Sequence, residues 1–137
     1  MFRIFRKICF YRGRNNIGKL TKCLDWDLHY GSHIKQLEAQ QRQGRKVRAL
    51  DNRPKLLLHS LFIWNAFWDL HGGRTQGFGP SPIQLTEIIA WCDLFEVETS
   101  DRLEMFRFIR AMDQVYFKFY SERSKEDGKQ SGSRNKK

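Results

Sequence analysis

The stretch from Trp64 to Pro82 constrains this chain more than any other. Trp64-Asn65-Ala66-Phe67-Trp68-Asp69-Leu70 crowds aromatic and aliphatic residues at helical spacing, and the segment Gly72 to Pro82 then carries four glycines and two prolines. Glycine and proline stop a helix and set a turning path. A second helix is expected to open at Ile83, with Ser81 as its N-cap, Pro82 at its first position and Gln84 closing a capping box. Two helices joined by a shaped loop, holding no reactive constellation, point to a protein that works by contact.

The spacing predicts a helix over 55–71. Leu57, Leu61, Trp64 and Trp68 keep a 4-3-4 rhythm, while Leu56, Ile63, Phe67 and Leu70 make a second stripe. A helix apolar nearly all round is either central or shared with a partner. Trp64 is a candidate partner-binding residue on that ground. The next helix, Ile83 to about Phe95, is expected to bury Leu85, Ile88, Ile89, Cys92 and Phe95. Ser100 or Asp101 caps the last helix. Its stripe of Met105, Phe108, Ile109, Met112, Val115, Tyr116 and Phe119 runs to about Tyr120. Phe106, Phe117 and Tyr120 fall on another face and are further candidates for partner contact.

Earlier in the chain, Ser32 is read as the cap of a helix through Gln43 that ends at Gly44, and a short helical turn follows at 46–50 before Asn52-Arg53-Pro54. Residues 1–31 show Gly13, Gly18, Gly31 and Asn15-Asn16, and are read as a weakly ordered arm whose removal leaves the fold intact. Residues 121–137 hold no large apolar side chain and are read as disordered. The expectation is an all-α, single-domain bundle of three to four helices over 32–120 between two basic ends.

Charge follows the same division. Of the net charge of +10, residues 1–48 contribute +9, residues 49–120 contribute −2 and residues 121–137 contribute +3. A basic arm can bind nucleic acid non-specifically, or can be no more than a solvated tail. No run of apolar residues is long enough to span a membrane. The three cysteines, Cys9, Cys23 and Cys92, form no CxxC and are read as free thiols. Cys9, Cys23, His29 and His33 lack the short spacing of zinc modules, so no metal and no cofactor is expected.

No phosphate-binding loop, nucleophile elbow or zincin motif occurs, and Gly77-Phe78-Gly79 lacks the third glycine of a dinucleotide fingerprint. Asp69 and Asp113 are read as ion-pair partners of Arg74 or Arg110 rather than as an acid pair, and His71 as a helix-end cap. Phe78 is expected to tuck its ring against Trp68 or Trp91. Met105 and Met112 suggest an adaptable contact surface. A catalytic function finds no support.

Three blocks carry a family resemblance. They are Ala66-Phe67-Trp68-Asp69-Leu70 with Arg74; Gly77-Phe78-Gly79-Pro80-Ser81-Pro82-Ile83 leading into Ile88 and Trp91; and Arg110-Ala111-Met112-Asp113 with Tyr116. In order and spacing they resemble small bacteriophage tail assembly chaperones, over residues 32–120. The stretch 1–31 reads as an addition to the family's pattern. The resemblance implies a non-catalytic helper in the host bacterial cytoplasm, absent from the mature virion. It implies the tape measure and tail tube proteins as partners. Homo-oligomerisation through the same apolar faces is a further expectation, and a nucleic-acid-binding protein acting through its basic arm is the alternative.

Overall fold

Leu20, Leu24, Phe67, Ile88, Cys92, Met105, Ile109 and Met112 are all buried in one apolar cluster, and they come from four different helices. The computed structural model describes residues 13–75 and 77–134. In chain order these form α1 (Gly13–Tyr30), a 3-10 turn at Gly31–His33, α2 (Ile34–Arg42), α3 (Arg48–Asp51), a second such turn at Leu58–Ser60, α4 (Leu61–Gly72), α5 (Leu85–Leu94), a third turn at Thr99–Asp101 and α6 (Arg102–Arg134). No strand occurs among the described residues, and the all-α single-domain reading holds.

The largest correction concerns residues 1–31. The span Gly13–Tyr30 is a helix, and its main packing partner is α6. Leu20 and Leu24 are fully buried, Cys23 and Trp26 nearly so, and Ile17 and Leu28 pack against the same cluster. That set has helical spacing, which Gly18 and the Asn pair obscure; Gly18 itself lies in open space with nothing near its Cβ position. Trp26 fastens α1 to α3 by donating its indole N–H to the Ala49 carbonyl at 2.8 Å, and Arg53 lies over its ring at 4.8 Å. The His29 ring meets Phe119 edge-on at 4.9 Å. Leu20 finds cover only towards the start of α6, because everything from Ser121 to Gly132 is exposed. The two helices therefore run parallel. Truncation through residue 30 removes two core leucines, so that deletion is expected to destabilise the fold rather than leave it unchanged. Residues 1–12 lie outside the described residues.

At the other end α6 continues through the tail read as disordered and reaches Arg134. Elongating an anchored helix needs no new nucleus, so a polar sequence without proline can follow on. Ser131 Oγ donates back to the Asp127 carbonyl at 3.1 Å. Residues 135–137 lie outside the described residues.

Two boundaries also move. α2 is preceded by the 3-10 turn, with His33 rather than Ser32 at its N-cap position and no side-chain cap. It ends as expected: Gly44 takes φ +82°, Gly44 N–H bonds to Gln41 O and Arg45 N–H to Gln40 O, the paired bonds of a left-handed glycine stop. The aromatic helix starts at Leu61 rather than at 55, because the chain is still extended at Leu57 (ψ 142°) and a 3-10 turn follows. Met105 and Met112 are fully buried, so they are core and not contact surface.

Candidate functional site

Arg74 stands just past the end of α4, where Gly72 and Gly73 let the chain turn and its side chain fold inward. The side chain is only 3 % exposed and faces Asp113 of α6, itself 4 % exposed. Its Nη2 pairs with Asp113 Oδ1, its Nη1 donates to the Ser81 carbonyl at 2.8 Å and its Nε to His71 Nδ1 at 2.8 Å. The other Asp113 oxygen accepts the Ile83 backbone N–H at 3.1 Å. A guanidinium spreads donors in a plane, so one side chain can hold three acceptors in fixed directions. The cation also lies over the Tyr116 ring at 4.5 Å.

His71 is held as the acceptor, so its proton sits on Nε2 in the neutral ring. Its ring stacks on Phe67 and meets Trp68 and Tyr116 edge-on. Burial pushes its pKa down, the Arg74 charge pushes further the same way, and Asp113 partly opposes them. It is thus a buttress of the ion pair rather than the helix-end cap expected. The reading of Asp113 as an ion-pair partner of Arg74 or Arg110 holds, and the partner is Arg74. Asp69 instead accepts the Trp91 indole N–H at 3.1 Å, and Arg110 lies over the Phe106 ring at 5.2 Å.

These bonds unite the three sequence blocks. Arg74 and Asp69 of the first reach Asp113 of the third and Trp91 of the second, while Ile83 of the second bonds Asp113. Ala66, Phe67, Leu70 and Met112 are buried behind them, and Trp68, Arg110, Ala111 and Tyr116 are half-buried. No described group of three or more His, Cys, Asp or Glu is arranged to hold a metal. Burial raises the pKa of the free thiols Cys23 and Cys92, which makes them poor nucleophiles.

Between its two anchored ends the loop rises to the surface. Thr75 Oγ1 donates to Ser81 Oγ at 2.8 Å across its neck. At the tip Phe78 is fully exposed, against the expectation that it packs on Trp68 or Trp91. A surface hollow of about 240 Å3 adjoins it, lined by Gly77, Gly79, Pro80, Tyr116 and Tyr120. Gly77 and Pro82 are exposed and Gly79 and Pro80 half-buried. Of the candidate contact residues, Tyr120 is exposed, while Trp64, Phe106 and Phe117 are half-buried.

The way the loop is held also resets α5. With the Ser81 carbonyl given to Arg74 and the Ile83 N–H to Asp113, the helix opens later, at Leu85. Its cap is Gln84, and Glu87 Oε2 accepts the Gln84 N–H at 3.2 Å in a capping box. Ile83, Ile88, Trp91 and Cys92 face inward, whereas Leu85, Ile89 and Phe95, which the sequence reading buried, are exposed together with Leu94. This outer face was missed because Trp91, not Leu85 or Ile89, completes the buried stripe.

A family model for phage tail assembly chaperones matches residues 39–118. That span covers more than half of the chain and contains all three blocks. The chain belongs to the phage tail assembly chaperone family. The matched span begins within α2, so α1, which completes the core of this family member, precedes it. No curated protein and no solved structure matches the chain.

Proposed function

We propose that this chaperone binds the tape measure protein before the tail is built, keeps it soluble and assists the tail tube subunits in assembling around it. The observation that carries the reading is the exposed apolar pair Leu85 and Ile89, one turn apart on the outside of α5, with Leu94 and Phe95 also exposed at the helix end. Exposed apolar residues grouped on one element mark partner sites, and a helical client with an apolar stripe docks on such a face in the helix-in-groove manner. Phe78, raised on its anchored loop, adds a separate aromatic contact. The role is non-catalytic, acts in the host cytoplasm during assembly, and ends before the virion is mature.

Co-expression with the tape measure protein tests it. Soluble yield of the tape measure protein should rise with the wild-type chaperone and fall back with Leu85→Ser combined with Ile89→Ser, whose surface positions leave the fold intact. Equal yield with and without the chaperone sinks the proposal. A second reading, non-specific nucleic-acid binding, draws on the exposed cations Lys19, Lys22, Lys35, Arg42, Arg45, Lys46 and Arg48. It requires affinity that falls steeply with salt, and sequence-selective binding at high salt would count against it.

A further inference from the structure

The four tryptophans divide into two pairs. Trp26 and Trp91 are buried, and each indole N–H is bonded inside the fold, to the Ala49 carbonyl and to Asp69. Trp64 and Trp68 stand one turn apart on α4, half-buried, with their rings edge to face at 5.9 Å. From Trp68 the ring contacts continue to His71 at 5.3 Å, from His71 to Tyr116 of α6 at 4.6 Å and from Tyr116 to Tyr120 at 6.4 Å. Every ring on this path is at least partly exposed, and the path runs into the hollow beside the loop tip, which Tyr116 and Tyr120 share with Pro80 and Phe78.

The polar atoms of this second pair are open. No described residue accepts a hydrogen bond from the indole N–H of Trp64 or Trp68, or from the hydroxyl of Tyr116 or Tyr120, and none of these atoms is sealed inside the protein. The track thus presents flat apolar rings and four donors that face solvent. The charged groups beside it are already engaged. Asp69 holds Trp91, Arg74 under Tyr116 is spent on Asp113, and Arg123, one turn past Tyr120, lies over the Phe119 ring at 5.9 Å. From Thr75 to Pro82 the loop carries no charged side chain.

We infer that this track, from Trp64 to the hollow at the loop tip, docks an extended, uncharged, proline-rich segment of a partner protein. A polyproline II segment makes no internal hydrogen bonds, so its carbonyls are free to accept from the two indoles and the two tyrosines, and its prolyl rings pack on aromatic faces. A docked α-helix has spent its carbonyls on its own backbone and would leave those donors unpaired. A nucleic-acid strand could stack on the rings, but it needs free cations for its phosphates, and here Arg74 is neutralised and Asp69 is an acid. The inference goes beyond the proposed function, whose α5 face takes a helix, and does not depend on it.

The test uses the full chain and two labelled, uncharged peptides of equal length, one rich in proline and one with alanine in its place. Fluorescence anisotropy should give the proline peptide at least about tenfold tighter binding, and raising salt from about 50 to about 500 mM should leave it unchanged, because no charge carries it. Phe78→Ala with Tyr120→Ala should weaken the proline peptide by at least about tenfold while the melting temperature shows an intact fold. Trp64→Phe and Trp68→Phe, which keep a ring and remove an indole N–H, should each weaken it by about threefold. Leu85→Ser with Ile89→Ser should leave it as it was. Equal affinity for the two peptides, or a preference indifferent to the Phe78 and Tyr120 changes, overturns the inference. Tighter binding of a thymidine oligonucleotide assigns the track to nucleic acid, and dissociation of an oligomer by the Phe78 and Tyr120 changes assigns it to a second copy; either result also overturns it. Rescue of the tape measure protein in co-expression, with no preference between the peptides, would leave the proposed function standing and remove only this step.

Discussion

Arg74 and Phe78 are four positions apart on one loop and meet opposite conditions. The first is sealed against Asp113 with each of its three guanidinium nitrogens hydrogen-bonded; the second stands wholly in water. The base of the loop spends a buried ion pair, a carbonyl contact and an imidazole to fix the backbone, and the tip uses none of that to bury its ring. The sequence blocks of this chain and their neighbours therefore mix two kinds of residue. Arg74, Asp113, His71 and Ile83 hold a shape, while Phe78 is what the shape holds out. An exposed aromatic on a mobile loop would collapse onto the nearest apolar surface; one on a clamped loop stays available.

The contrast is most easily broken at the base. Asp113→Ala leaves the Arg74 cation buried without its partner and frees the Ile83 N–H, so it should cost about 3–5 kcal/mol in denaturant unfolding. A cost near that of a surface change would mean that water enters the loop base and that the two ends do not differ. Arg74→Lys keeps the charge but cannot reach Asp113, Ser81 and His71 together; a loss of about 1–3 kcal/mol is expected from the acceptors it abandons.

Acid should loosen the same end. Because the folded His71 pKa lies below its unfolded value, the unfolded chain binds more protons between the two, and stability falls as pH drops through about 6.5. Thermal melts from about pH 7.5 to about pH 5 should show that fall. His71→Gln, which keeps an acceptor without titrating, should flatten it. Asp27 and Asp101, whose carboxyl pKa values are raised chiefly by burial, act in the opposite sense at lower pH, so the comparison belongs in the upper part of the range. The smallest effect is at the tip. Phe78→Ala should shift stability by no more than about 0.5 kcal/mol, and if the tip serves the client, binding should fall without any change in melting. A cost of several kcal/mol would return Phe78 to the core.

How much of this was legible varies residue by residue. The three blocks could be named from the sequence, and so could an arginine partner for Asp113, with Arg74 and Arg110 left open between them. The convergence of the blocks could not: the bond between Arg74 and Asp113 joins positions 39 apart, and no local pattern encodes that distance. α1 has a proper helical stripe, but Gly13, Gly18 and two asparagines lower its local propensity, and tertiary packing on α6 overrides that. Phe78 was misplaced because hydrophobicity alone does not say whether a loop aromatic turns in or out. Leu85 and Ile89 were misassigned for a related reason. Leu85, Ile88, Ile89 and Cys92 fit a helical stripe on paper, and only the anchoring of Ile83 shows which flank faces the core.

The long reach from Arg74 to Asp113 also sets an order of events. On the ribosome the loop is made well before the α6 residue that closes it, so Phe78 is made 35 residues before the Asp113 that lets it exist as a fixed surface. Until α6 docks, Arg74 has no counter-charge, the Ile83 N–H has no acceptor, and the tip has no defined position. A partner that engages the raised phenylalanine in its final geometry is thereby reading whether the chain is finished.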